Sequence, residues 1–142
     1  MRKFLVPLDG SDCANRALAQ AIAVAQAIQG AKLVLLNVHP EPVVYGEIQV
    51  YVPVERMQEL QDRHSRDIFR PATGKLEAAG VSHSLKVAIG DPASLIAKTA
   101  ADLGCDGIIM GTRGMSSIGN LLLGSIASKV VHLAEVPVTL VK

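Results

Sequence analysis

Residues Asp106 to Ser125 read DGIIMGTRGMSSIGNLLLGS, and the rest of the chain can be parsed outward from them. Asp106 to Met110 is a short apolar run of the kind a fully covered parallel strand shows, and Gly111 stands where that strand would end. Gly114 follows three positions later, nine residues intervene, and Gly124-Ser125 would open the next helix. Glycine admits φ > 0 and lets a bulky anion reach the main chain, so several N–H groups can converge on one phosphate. The start of a helix adds free N–H groups and a positive dipole end, and the Ser125 hydroxyl adds a donor. Strand, glycine loop and helix therefore form a unit suited to holding phosphates. By itself the spacing also describes a surface loop capped by a serine, since short glycine patterns match by chance.

The flanking sequence alternates strands and helices. Phe4 to Leu8 reads as a first strand, and Ser11 and Asp12 supply caps for a helix running to about Gln29. The apolar positions Ala14, Ala17, Leu18, Ala21, Val24, Ala25 and Ile28 keep the 3.6-residue period, and Gly30 suits the end. Lys32 to Val38 is a second strand, continuous enough at Leu33 to Leu36 to be covered on both faces. Pro40 to Pro53 reads equally as an irregular flap or a short hairpin. From about Val54, Met57, Leu60, His64, Ile68, Ala72, Leu76 and Ala79 trace a helical stripe that Pro71 is expected to break or kink. Val81 to Ile89 alternates as a third strand. Gly90-Asp91-Pro92 starts a helix carrying Leu95, Ile96 and Ala100, with Asp91 as cap. A fourth helix runs from Ser125 to about Leu133, and Val136 to Val141 is the last strand. This βαβα order predicts an α/β fold, a doubly wound open parallel sheet with helices on both faces, built as one domain over residues 1–142.

Gly111-x-x-Gly114, nine residues, then Gly124-Ser125 resembles the nucleotide motif of the universal stress protein family, in its ATP-binding branch. Val6 to Ser11, Asn37-Val38-His39, Gly90 to Ala93 and Val136-Pro137-Val138 resemble further segments of that family in the same order, and Pro40 to Pro53 is the least typical stretch. The resemblance implies an adenine-nucleotide alpha hydrolase-like fold with strand order 3-2-1-4-5. In such a sheet the chain reverses between strands one and four, and a ligand crevice opens at their carboxyl ends.

The resemblance also implies the site. Val38 would address the adenine edge through its main-chain N–H and C=O, between apolar walls from Pro7, Leu8 and Met110. Asp9, otherwise a turn former, would accept hydrogen bonds from ribose or adenine. Gly111, Gly114, Gly124 and Ser125 would carry the phosphates with main-chain donors between Thr112 and Ile126, and Arg113 is either a further phosphate cation or a solvated surface arginine. The expected ligand is ATP, or ADP or AMP, with Mg²⁺ or Mn²⁺ held through the phosphates rather than by a carboxylate cage. The module implied is a regulatory one in the stress response, in which ATP orders Met115 to Leu123 and the ordered surface reports to a protein partner. The chain is also expected to pair as a homodimer along Val136 to Val141, an apolar edge strand.

Composition bounds these readings. A length of 142 residues, 49% of them hydrophobic, suffices for one core. A net charge of +1 gives no footprint for nucleic acid or an acidic membrane surface. The apolar run after Met1-Arg2-Lys3 is too short for a signal peptide, which points to a cytoplasmic protein. Cys13 and Cys105, without CxxC spacing, read as small buried hydrophobes, and the histidines lack metal-ligand spacing, with His39 expected on a solvent-facing loop. No GxxxxGK[ST], early GxGxxG or kinase signature is present, so phosphotransfer machinery is not visible. Two alternatives stand beside the regulatory module: a slow ATP hydrolase, and a dimeric scaffold that holds no nucleotide.

Overall fold

β1 (Lys3–Pro7) is the central strand, bordered in parallel by β2 (Lys32–His39) and by β4 (Gly107–Gly111). The computed structural model describes residues 2–41, 53–114 and 123–142. β3 (Ser82–Ile89) pairs with β2, and β5 (Val138–Val141) pairs with β4, so the five-stranded sheet has the order β3-β2-β1-β4-β5, all parallel. Helices α1 (Asp12–Ala27), α2 (Val54–Ala79), α3 (Pro92–Asp102) and α4 (Ser125–Leu133) are the crossovers.

Strand alternation distributes the side chains between two cores. Val6, Leu33, Leu35 and Ile109 face α1 and α2, where they meet Ala17, Leu18, Ala21, Phe69, Ala72 and Leu76. Leu5, Val34, Leu36, Ile108 and Met110 face α3 and α4 and pack on Ala93, Ile96, Ala100, Ala127 and Val130. Leu33, Leu35 and Leu36 are fully buried, each removing from water a side chain whose burial stabilises the fold by about 1.5–3 kcal/mol. Both faces of the inner strands are thus covered, and this explains why β2 and β4 read as unbroken apolar runs.

Two local expectations change, a break at Pro71 and the course of the α2 stripe. α2 is continuous across Pro71. Pro71 is exposed, so its missing N–H opens no buried gap, and the buried residues Ser65, Phe69, Ala72 and Leu76 hold the helix to the sheet on both sides of it. The buried stripe of α2 is narrower than its apolar sequence: Leu60 and His64 are exposed, and Phe69, absent from the expected stripe, is core. In β3, Leu85, Val87 and Ile89 alternate as expected yet lie about half exposed, because β3 is an edge strand. The Pro40 to Pro53 flap falls at 42–52 outside the described residues, as does Met115 to Leu123 except for Leu123 itself. No helix among the described residues is long and apolar enough to cross a membrane.

Candidate functional site

A cavity of about 430 Å³ opens at the carboxyl ends of β1, β2 and β4. Every residue singled out from the sequence lines it: Pro7, Leu8, Asp9, Val38, Met110, Gly111, Arg113, Gly114, Gly124, Ser125 and Ile126. Thr112, expected as the first of the main-chain donors, lines it too, and Ser11, Asn37, His64, Pro92 and Ile96 are among the lining residues that were not expected there. Parallel strands that end together create this rim, since each chain leaves the sheet at the same side to enter its helix.

The half of the cavity beside β1 and β2 is built from main chain. In β2 the main-chain groups of alternate residues face opposite neighbours. The Leu8 N–H donates to the Leu36 C=O at 2.8 Å, so Leu36 and, two residues on, Val38 turn their main-chain groups toward β1. The His39 C=O, facing the other way, accepts from the Gly90 N–H at 2.9 Å. The paired register of β1 ends at Pro7 and Leu36, and among the described residues no main-chain group pairs with Val38 on that side. Asp9 closes the turn: its Oδ1 accepts from the Ser11 N–H at 2.9 Å.

The other half is the glycine loop. Gly111, Gly114 and Gly124 do not use positive φ, contrary to the expectation for phosphate-loop glycines; they are needed for space. A Cβ on Gly111 would stand 2.7 Å from the Cys13 Cβ and 2.8 Å from the Cys13 carbonyl carbon, so this glycine lets β4 end flush against the start of α1. On Gly114 a Cβ would lie 2.8 Å from Asp9 Oδ2, and on Gly124 3.2 Å from the Thr112 carbonyl oxygen. Gly124 N–H donates to that carbonyl at 2.6 Å and returns the chain from the loop to α4.

The helix starts around the rim differ. Ser11 caps α1, its hydroxyl accepting from the Ala14 N–H at 3.2 Å. Asp91 caps α3, accepting from Ser94 N–H at 3.0 Å and Ser94 Oγ–H at 2.6 Å, and it also accepts from Lys129 Nζ of α4 at 3.1 Å. The Ser94 bonds, and then Lys129, hold the Asp91 carboxyl down at about 2. α4 begins at Gly124 with no side-chain cap, and its first helical bond runs from Ser128 N–H to the Gly124 C=O at 3.0 Å. Gly124, Ser125, Ile126 and Ala127 at its start line the cavity, and among the described residues no side chain caps their N–H groups.

Cys13 is buried and unbridged, as expected, but it is also polarised. Burial raises its thiol pKa; the Arg113 main-chain N–H, the Thr112 side chain and the charge of Arg16 outweigh burial and lower it. Arg16 Nη2 donates to Sγ at 3.1 Å. His39 departs most from expectation. It is buried, not solvent-facing, and its Nε2 lies 2.7 Å from Ser65 Oγ, since its odd-numbered place in β2 points it under α2. Desolvation first, then the neighbouring His64, lowers its pKa. Sequence reasoning missed Asn37, Ser65 and His39 as a group; the one signal was a polar residue, Asn37, at an inward position of an otherwise apolar strand.

Comparison with known proteins agrees with this architecture. The model of the "Universal stress protein family" matches residues 1–142. The universal stress protein YxiE of Bacillus subtilis is 34% identical, covering 99% of this chain and 98% of its own. Among solved structures, UspA from Lactobacillus plantarum superposes with a TM-score of 0.87 at 26% identity, over 99% of this chain and 97% of that one. A universal stress protein family member from Arabidopsis thaliana, solved with AMP bound, has a TM-score of 0.71 at 18% identity, over 100% and 92% of the two chains. The chain belongs to the universal stress protein family.

Proposed function

We propose that this chain is an adenine-nucleotide-binding regulatory module, with ATP as its ligand. The observation that carries this reading is the uncapped start of α4, placed in the same cavity as the open main-chain edge of Val38. An adenine ring offers a donor and an acceptor side by side, which a strand-end N–H and C=O satisfy together. Pro7, Leu8 and Met110 supply the apolar walls. Asp9, at the junction with the glycine loop, serves the ribose. The phosphates lie on Gly114, Gly124, Ser125 and Ile126, where free N–H groups and the helix dipole favour negative charge, with Arg113 as the nearby cation. Gly111 serves this site indirectly, by seating β4 against α1. AMP in the Arabidopsis relative is in keeping with this class of ligand.

Among the described residues no group of three or more His, Cys, Asp or Glu side chains converges. Mg²⁺ or Mn²⁺ would therefore arrive on the phosphate oxygens, with the Ser125 hydroxyl as the protein's contribution. Among the described residues the charged or titratable side chains lining the cavity are Asp9, His64 and Arg113, with Asp12 nearby, a sparse set for orienting water and neutralising a transferring phosphoryl group, and this favours a binding module over an ATP hydrolase. We place the module in the cytoplasm, as a homodimer joined along Val136 to Val141 and reporting to a protein partner in the stress response; β5 is an edge strand with Leu140 partly exposed.

Thermal unfolding with and without MgATP tests the reading. At a hundredfold excess over Kd, binding stabilises by roughly 2.7 kcal/mol. That raises the Tm by several degrees. No shift with ATP, ADP or AMP removes the nucleotide and leaves the scaffold. Sustained turnover that disappears in Ser125→Ala or Arg113→Ala makes the protein an enzyme. For the dimer, Val138→Lys or Leu140→Lys should sediment as a monomer, and an unchanged dimer moves the interface away from β5.

A further inference from the structure

Three polar side chains are buried together where β2 meets α2: Asn37 at 2% exposure, Ser65 at 3% and His39 at 7%. Their hydrogen bonds run in one direction. The Leu8 carbonyl only accepts, so the Asn37 atom 2.8 Å from it is the donating Nδ2. Asn37 Oδ1 is then the acceptor for Ser65 Oγ–H at 2.8 Å. With the hydroxyl proton so engaged, His39 Nε2 must itself carry a proton and donate to Ser65 Oγ at 2.7 Å. A buried chain of this kind is fully satisfied, and each member fixes the orientation of the next.

The network ends at an unusual place. Continuing the β1–β2 ladder by one step would pair the Leu8 carbonyl with the Val38 N–H, as the Leu8 N–H already pairs with Leu36. The Asn37 amide takes that carbonyl instead. We infer that Asn37 is a positioning residue for base recognition: by occupying the Leu8 carbonyl it keeps the Val38 main-chain edge open, and Ser65 and His39 hold its amide in that orientation. The inference rests on the adenine-nucleotide reading above. It assigns selectivity for the base to a side chain that need not touch the base. It also ties the reading edge to α2 through Ser65.

Two measurements on Asn37→Ala test it, one of them free of nucleotide. In the free protein, freeing the Leu8 carbonyl lets the Val38 N–H close onto it, so Val38 amide exchange followed by NMR slows at least tenfold relative to the parent chain. In calorimetric titrations, the preference for ATP over ITP falls at least tenfold, because ITP reverses the donor and acceptor on the base, while affinity for inorganic tripolyphosphate stays within twofold. Generalised loosening would weaken all three ligands together. Ser65→Ala, which frees the amide to turn, gives the same changes at smaller size and serves where Asn37→Ala fails to fold. An ATP-to-ITP ratio equal to that of the parent chain in a folded variant overturns the inference. A parent chain that binds no adenine nucleotide removes the functional reading instead; Val38 exchange then decides alone, slowed exchange in the variant upholding the role of Asn37 and equal exchange overturning it.

Discussion

α1 and α4 both start at the cavity rim, yet α1 arrives closed and α4 arrives open. At α1 the Ser11 hydroxyl takes one N–H, the Asp9 carboxylate ties the turn that leads in, and Gly111 seats the end of β4 directly on Cys13 and Ala14. At α4 the capping position is Gly124, with no side chain to accept anything. A capped start contributes to stability, whereas an uncapped one leaves a cost that only water or an anion can offset. The difference separates the structural end of the site from the end we propose receives the phosphates.

Closing the gap at Gly111 should have the largest effect. In Gly111→Ala the new methyl meets main-chain atoms of Cys13 and Ala14 at 2.8–3.0 Å, which cannot swing aside as a flexible side chain would. Overpacking of this kind costs about 3 kcal/mol. Calorimetry should show a Tm lower by roughly 10 °C; a drop under 2 °C would mean that α1 is free to move off the sheet.

The open helix start can be closed by charge. Ser125→Asp puts a carboxylate in the first turn of α4, where it gains about 0.3–1 kcal/mol from the dipole. The Tm should rise slightly while ATP affinity falls at least tenfold by calorimetric titration, opposite signs that no general damage produces. Ser11→Ala is the mirror experiment. Losing the α1 cap should cost about 1 kcal/mol. The Tm then falls by about 3 °C, with ATP affinity reduced far less than in Ser125→Asp.

Acid should act through two groups of opposite chemistry, and both destabilise. His39 has a lowered pKa in the folded state, so below about 6.5 the unfolded chain binds the extra proton more readily and stability falls as pH drops. His64 and Asp62 are the titratable neighbours that set this balance, the first lowering and the second raising the pKa. His39→Gln should flatten the stability profile between pH 7 and 5. Asp91, held at about 2, contributes stability that is present above the ordinary carboxylate range and lost as pH falls toward 2. In Lys129→Ala an NMR titration should move that carboxyl upward, the smallest effect of the series, because the Ser94 bonds remain.

Much of the site was legible because its residues sit at strand ends, and strand ends can be read from where apolar runs stop. Pro7 to Asp9, Val38 and Met110 to Gly114 each lie at or just past the end of such a run, and a parallel sheet brings like ends together. The glycine spacing was legible too, though for another reason than the one that governs it: space beside Cys13, Asp9 and Thr112, not positive φ. His39 was misplaced because a histidine one residue past an apolar strand resembles loop, whereas the ladder to β3 extends through His39 paired with Ile89. Ser65 and Phe69 were passed over because the α2 stripe was drawn through Leu60 and His64, which are exposed.

The order of residues by itself determined the alternation of elements, the two-sided covering of the inner strands and the stations of the loop glycines, since these follow from side-chain period and from the presence or absence of a Cβ. Only tertiary contact decided which helix start is capped, which glycine packs and which is open, and that Asn37 takes the Leu8 carbonyl. Those outcomes depend on atoms distant in sequence meeting within hydrogen-bond or van der Waals reach, and no local pattern encodes such a meeting.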